Sequence, residues 1–490
     1  MPFETPLLIT FIVYLFVILM IGTRAYTQTH DIGDYILGGR KLGSVVTALS
    51  VGASDMSGWL LLGLPGAIYL SGISEIWIGI GLIVGAYCSW TLVSARLRIY
   101  SQHAGNSLTL PDYLENRFSD QSRVFRVLSA LVILLFFTFY TASGLVGGAI
   151  LFENSFGLDY SLALGVGALI IVSYTFVGGF LAVSWTDAIQ AVLMMLALII
   201  TPILVVMDAG SIDSIVTTMQ TVNPQSTSLF AGMSSLGIVS LLAWGLGYFG
   251  QPHILARFMA IESPVRLVAA RRVAMTWMVI VLTGSVLTGL AGMAYFGEQG
   301  LANPETVFIE LSQTLFNPWV AGVISAAILA AIMSTIDSQL LVSSSVISED
   351  FYRVFIRPQA GKKELLLVSR AAVILIALVA VTIASDRNTR VLDLVSYAWA
   401  GFGAAFGPVI LFSLFWRKMT AIAGIAGMSV GALTVLIWSN LEGGLFDLYE
   451  IVPGFLLATL AIILVTRISP QGQQEVLEQF DQVDSIRRSQ

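Results

Sequence analysis

The stretch from Val46 to Gly66 reads VTALSVGASDMSGWLLLGLPG. Its apolar content suits a bilayer, yet Gly52, Ser54, Asp55, Ser57 and Gly58 stand at its middle. A carboxylate near a bilayer midplane costs at least about 2.5–3.5 kcal/mol, which marks a residue that faces a cavity or a partner. The glycines and serines around it predict a break in the helix. A broken helix exposes backbone carbonyls, and those can coordinate a cation. Asp55 then has two functional readings: a ligand of that cation, or an organiser of the broken backbone that supplies negative potential. A buried aspartate capping a half-helix N-terminus is the structural alternative.

The rest of the chain frames this segment. Of its 490 residues, 56% are hydrophobic and only 11% charged, against roughly 25% charged in soluble domains. The mean hydropathy is +0.86. Continuous apolar runs of about 20 residues predict helices rather than a barrel. The fold class is therefore an all-α polytopic membrane protein. The single cysteine, Cys88, excludes an intrachain disulfide. The first apolar run lacks a basic leader and a small-residue cleavage site, so it reads as a retained span. Three scattered histidines and one cysteine offer no haem or iron–sulfur ligand set. No GxxxxGK[ST] motif points to ATP, and the serine-rich spans have no histidine partner for nucleophilic catalysis. An enzyme is not expected, nor a nucleic-acid partner.

Thirteen spans are predicted, at about 6–26, 42–72, 74–95, 125–152, 160–183, 187–207, 230–256, 273–296, 314–346, 366–385, 391–415, 419–439 and 449–466. The turn between 183 and 187 must be tight, with Trp185-Thr186-Asp187 on it. Asp187 is then either a helix cap or a residue of the ion path. Alternation of the loops collects all but two of the 24 Lys and Arg residues on one side, leaving Arg387 and Arg390 on the other. That asymmetry places the N-terminus outside and the C-terminal tail in the cytoplasm. The tail, 468–490, is polar and mixed in charge, and reads as a solvated segment or an amphipathic helix.

A second interruption lies in SLLAWGLGYFGQPHILARF, Ser240 to Phe258, where three glycines and Pro252 weaken helix. Each interrupted span opens a block of five. Paired breaks at corresponding positions of two halves point to an inverted-repeat transporter with its site at the breaks. The expected organisation is a first helix and cytoplasmic loop over 1–41, then a ten-helix core over 42–415. The core divides into repeats of about 42–207 and 230–415, and two further helices over 416–467 precede the tail.

The chemistry gathers at these breaks. A hard cation such as Na⁺ wants oxygens, and the carbonyls of Ala53 and Met56 can supply two. In AILAAIMSTIDSQLLVSSS, Ala327 to Ser345, the hydroxyls of Ser334 and Thr335 and the carbonyl of Ala331 one turn earlier can supply more. Asp337 adds polarity toward the cytoplasmic end. Serines and threonines in membrane helices otherwise serve packing and interhelical bonds. For an organic substrate, Trp244 and Tyr248 share a face at i, i+4, and Gln251 follows. Tyr140 is a further mid-span aromatic. Such aromatics suit an apolar ring with a cationic nitrogen, or act as packing and interface anchors. A substrate carboxylate suits the free N–H groups near Ser57 and Gly58.

At these residues the sequence resembles the sodium:solute symporter family over roughly residues 1–470. The matching stretches include DYILGGRKLG (Asp34 to Gly43), TALSVGASDMSGWLLLGLPGA (Thr47 to Ala67), LTLPDYLENRF (Leu108 to Phe118) and GGFLAVSWTDAIQ (Gly178 to Gln190). Also matching are WGLGYFGQPHILARFMA (Trp244 to Ala260), ILAAIMSTIDSQLL (Ile328 to Leu341) and VSYAWAGFGAAFGP (Val395 to Pro408). The resemblance implies 13 transmembrane helices with a LeuT-type 5+5 inverted-repeat core in a bacterial cytoplasmic membrane. It implies a Na⁺ site from Ala53, Met56, Ala331, Ser334 and Thr335, with Li⁺ as a substitute ion. Asp55 matches a critical aspartate, and Asp187 an acidic position linked to sodium coupling. Ser57, Gly58, Tyr140, Trp244 and Tyr248 match substrate positions, with L-proline as the implied solute. Arg40 falls in a cytoplasmic-loop motif. Asp337 stands where related proline carriers often have Ser, which points to an altered cytoplasmic ion exit. Other members imply the alternatives: pantothenate, a sugar or a carboxylate as solute, or a transporter-like sensor.

Overall fold

The computed structural model describes residues 5–27, 32–175, 179–230, 232–470 and 474–489. The expected span 160–183 includes 176–178, and the expected tail includes 471–473 and 490. Those parts lie outside the described residues.

Among the described residues, ten helices are long and apolar enough to cross a membrane, and eleven if the bent pair Ser44–Asp55 and Trp59–Ser71 counts as one span. Two of the expected spans, over Tyr160–Ser173 and Ser235–Phe249, form shorter apolar helices. Pro318–Ile356 and Val391–Phe415 form the centre, with 83% of their most apolar windows buried, against 28% for Thr5–Ala25 and Ile451–Ile468 at the rim. Pro318–Ser345 packs against Val124–Phe156, Phe180–Ala209 and Thr5–Tyr26. It starts cleanly because Pro318 sits in its first turn and the Asn317 side chain accepts from the N–H groups of Trp319 and Val320 at 3.1 Å.

Both expected interruptions are present. Ser44–Asp55 ends at Met56, whose φ of −83° and ψ of 75° leave the helical region. The chain resumes at Trp59, and the two halves meet at 62°. Gly52 is required there by packing: a Cβ would lie 2.5 Å from the Trp277 ring. In the second interruption Ser235–Leu242 tightens into 3-10 turns over Ala243–Phe249, and a new helix starts at Pro252. This segment lies hard against Ile76–Cys88. A Cβ on Gly85 would fall 2.0 Å from the carbonyl oxygen of Gly245.

Three expectations need correction. The helix containing Asp187 begins at Phe180, not at 187. Asp187 lies inside it, so it neither caps a helix nor sits on a turn. The expected span 74–95 continues to His103 because Arg96 and Arg98 find carbonyl partners rather than water alone. The expected span 314–346 runs on to Ile356, its last eleven residues wound more widely as a π-helix. The tail takes the amphipathic option: Gln474–Ser489 is a helix with Val476 and Val483 buried against the protein.

Candidate functional site

The broken end of Ser44–Asp55 lies against the middle of Pro318–Ser345. The Ser334 hydroxyl contacts the carbonyl oxygen of Ala53 at 2.7 Å and that of Ala331 at 3.0 Å. The Thr335 hydroxyl reaches the same two oxygens at 3.2 and 3.3 Å. Four of the five expected ion ligands therefore converge, two carbonyls from different helices and two hydroxyls. Carbonyl and hydroxyl oxygens are what a hard monovalent cation takes. Met56 is buried beside them, its N–H bonded to the Gly52 oxygen at 2.8 Å. Its carbonyl is not among the groups that Ser334 or Thr335 touch.

Asp55, one turn above Ser50 and just past Ala53, organises the break. Its carbonyl oxygen accepts from Tyr140 Oη at 3.1 Å, Trp59 Nε1 at 3.0 Å and the Ser57 N–H at 3.0 Å. Its Oδ2 accepts from the Tyr248 hydroxyl. The two interrupted spans are thus joined at their breaks. Oδ1 of Asp55 and Oε1 of Gln251 are buried and have no hydrogen-bond partner among the described residues. Orphaned buried acceptors are rare and costly, and here they offer acceptors to the N–H groups of a cationic amine. Ser57 and Gly58 begin the second half-helix. A Cβ at Gly58 would sit 3.0 Å from Ile332 Cγ1, so a larger residue there would press on the Ile332 side chain.

Aromatic rings enclose the second break. Trp244 lies 6.2 Å from Trp59, 6.5 Å from Trp399 and 5.5 Å from Tyr449, centroid to centroid. Trp399 is not among the expected residues, yet it packs against the second break. Its Nε1 donates to the Trp244 carbonyl at 2.7 Å, its own carbonyl accepts from Gln251 at 3.2 Å, and the Tyr248 ring stands against it at 5.1 Å. A cavity of about 380 Å³ reaches Trp244 and Tyr449 from the end of the molecule away from the arginine-rich loops. A larger cavity of about 660 Å³, between Phe180–Ala209 and Leu267–Phe296, is lined almost wholly by aliphatic side chains and lies apart from the polar cluster.

Asp187 does not join the hydroxyl pair directly. It forms a layer below: Oδ2 accepts from Ser50 at 2.6 Å and from Arg257 at 2.9 Å. Arg257, 1% exposed, also donates to Ser50, to the His253 carbonyl and to Ser338. Ser338 in turn donates to the Ser334 carbonyl at 2.8 Å. Asp337 sits on the other flank, bonded to Thr175. Nearer the arginine-rich end, Arg40 donates to the Met259 and Ser107 carbonyls at 2.5 and 2.7 Å. Leu42 pairs with the Ala260–Glu262 backbone there. These bonds tie the loops of that end together, while the Trp244 end is reached by the smaller cavity.

The discontinuous helix, the second break facing it and the hydroxyl pair thus meet in one place. The family described as sodium:solute symporter family matches residues 35–431. This chain belongs to the sodium:solute symporter family.

The symporter chain is 53% identical over 491 residues to a sodium/proline symporter of Salmonella typhimurium, covering 99% of this chain and 97% of the relative. It is 51% identical over 466 residues to the high-affinity proline transporter PutP of Bacillus subtilis, covering 94% and 98%. Its fold is that of a Na⁺-coupled sialic acid symporter solved in a substrate-bound, outward-open state. That match has a TM-score of 0.80 at 20% identity over 96% of this chain and 99% of the other. The transporter MhsT in complex with L-phenylalanine is also similar, at a TM-score of 0.54 and 14% identity, over 86% and 97%. The chain is thus a multi-pass membrane symporter.

Proposed function

We propose that this symporter moves L-proline with Na⁺ into a bacterium across the cytoplasmic membrane by alternating access. The observation that carries the reading is the convergence of the Ser334 and Thr335 hydroxyls with the Ala53 and Ala331 carbonyls. The ion takes those oxygens, with Met56 completing the set, and ties the first broken helix to Pro318–Ser345. Li⁺ fits the same oxygens. Proline is preferred among solutes because the relatives named for sodium and proline are about half identical to this chain over nearly its whole length.

The proline ring lies among Trp244, Tyr248 and Tyr140. Its secondary ammonium donates to the unpaired oxygens of Asp55 and Gln251, and its carboxylate meets the N–H groups at Ser57 and Gly58. Asp55 and Asp187 couple ion to solute, and Asp337 serves the cytoplasmic ion exit. Thirteen spans, with a 5+5 inverted-repeat core over 42–415, put the N-terminus outside and the tail in the cytoplasm. Both ligands favour the occluded state, and coupling needs only that each binds it more tightly than the others.

Labelled proline uptake into proteoliposomes, with and without an inward Na⁺ gradient, tests the reading. Sodium-stimulated accumulation that unlabelled pantothenate, sugars and short carboxylates leave intact is expected. Uptake indifferent to Na⁺ removes the coupling, and displacement by another solute removes proline.

A further inference from the structure

The C-terminal helix makes contacts that the transport site does not explain. Arg96, near the end of Ile73–His103, donates to the Leu414 carbonyl at 3.0 Å and lies over the Phe415 ring at 4.2 Å. Arg117, on Leu110–Phe118, donates to the Ser413 carbonyl at 3.0 Å. These two arginines tie neighbouring segments to the last turn of Val391–Phe415. On their other sides both meet the tail. Asp484 lies 3.5 Å from Arg96. Phe480 closes a box of three rings around the Arg117 guanidinium, at 5.3 Å beside Tyr100 at 4.9 Å and Phe118 at 4.7 Å. Arg117 is fully buried, and its terminal nitrogens have no hydrogen-bond partner among the described residues. Ring faces are what its charge has instead.

We propose that the helix Gln474–Ser489 is a strap that holds the arginine-bearing end of the symporter closed by covering Arg96 and Arg117. A third anchor is Arg417, just after Val391–Phe415, which grips Asp481 with two bonds of 2.8 and 2.7 Å. Val476 and Val483 bury apolar surface beside these pairs. The grip is firm enough to order the helix and weak enough to release. Arg417 and Asp481 are 43% and 55% exposed, and exposed pairs contribute little singly and are screened by salt. A polar helix of this length on its own is at the margin of stability in water. Undocking therefore both uncovers the two arginines and melts the strap. With their outer faces in water, Arg96 and Arg117 hold Val391–Phe415 less firmly, and the closed end opens more often.

The proposal rests on the alternating-access reading, but its test needs no transport, so failure of one is distinguishable from failure of the other. In a Cys88→Ala background, Ser345→Cys places one thiol at the buried inner part of Pro318–Ile356. A membrane-impermeant maleimide, applied from each side of oriented vesicles, reports opening of the closed end. Deletion of residues 470–490 is expected to raise the labelling rate about threefold or more, the scale of a lost weak ion-pair set. The double change Asp481→Asn with Asp484→Asn gives the same direction and decides alone if the deletion fails to insert. Raising KCl from 0.1 to 1 M shortens the Debye length from about 10 to about 3 Å. It should accelerate labelling of the intact chain and leave the tail-less chain unchanged. The exchange Arg417→Asp with Asp481→Arg should restore protection. Equal labelling with and without the tail or its acidic pair, or salt acceleration that persists without it, overturns the strap.

Discussion

The Tyr248 hydroxyl donates to the carboxylate of Asp55, joining two interrupted spans at their breaks. One bond therefore links the segment whose carbonyls are proposed for the ion to the segment whose aromatics are proposed for the substrate. Asp55→Asn keeps an acceptor for Tyr248 and removes the charge. Tyr248→Phe keeps the charge and removes the donor. Losing a buried partner costs about 1–3 kcal/mol, so Tyr248→Phe should raise the proline KM by about tenfold or more. Asp55→Asn should instead shift the Na⁺ dependence first. Sodium and proline titrations of uptake by both variants separate the two effects, and identical shifts in both would undo the division of roles.

Ser334→Ala and Thr335→Ala each remove one of the two hydroxyls proposed to bind the ion. The apparent Na⁺ affinity should fall about tenfold for either, in line with one lost hydrogen-bond-strength contact to a charge. Proline binding at saturating Na⁺ should move far less. Thr335→Ser keeps the hydroxyl and should stay near the parent. An unchanged Na⁺ dependence in both alanine variants would take the hydroxyls out of the site.

The Asp187–Arg257 pair is buried on both sides, at 0% and 1% side-chain exposure. Asp187→Ala leaves a guanidinium buried without its carboxylate, which typically costs about 3–5 kcal/mol. A clear loss of thermal stability in detergent is expected. Asp187→Ala with Arg257→Ala together should recover part of it, because no lone charge remains. A double variant no more stable than the single one contradicts this.

Trp399 acts through the backbone of the second break. Trp399→Phe removes the donor to the Trp244 carbonyl. Gly247→Ala would put a Cβ 1.9 Å from Trp399 Nε1. Both should displace Trp244 and weaken proline binding by about fivefold to tenfold, the worth of one buried bond, with a smaller intrinsic effect on Na⁺. Isothermal binding at saturating Na⁺ measures this.

Much of the candidate site stands out in the sequence because membrane burial makes polar residues expensive. Asp55 and the Ser334-Thr335 pair stand out against apolar surroundings, and the structure brings their neighbourhoods together. Arg257 was concealed by the rule that worked elsewhere. It counts toward the basic side of the membrane like a loop charge, yet it is wholly buried against Asp187 and Ser338. The cluster Trp185-Thr186-Asp187 reads as a turn because polarity interrupts two apolar runs. Its helix continues because Oδ2 of Asp187 is met from inside by Ser50 and Arg257. Trp399 lies in a glycine-rich apolar helix, where a tryptophan looks like packing. Its role rests on a contact to a carbonyl 155 residues earlier, which no local pattern encodes.

The most direct measurement is the equilibrium binding of labelled proline to the purified symporter as Na⁺ is raised at constant ionic strength. If the Ala53, Ala331, Ser334 and Thr335 oxygens hold the ion beside the proline pocket, the proline Kd falls as Na⁺ rises. By reciprocity, proline tightens Na⁺ binding by the same factor, and Ser334→Ala with Thr335→Ala shifts the dependence to higher Na⁺. A proline Kd that does not change with Na⁺ would contradict a shared two-ligand site.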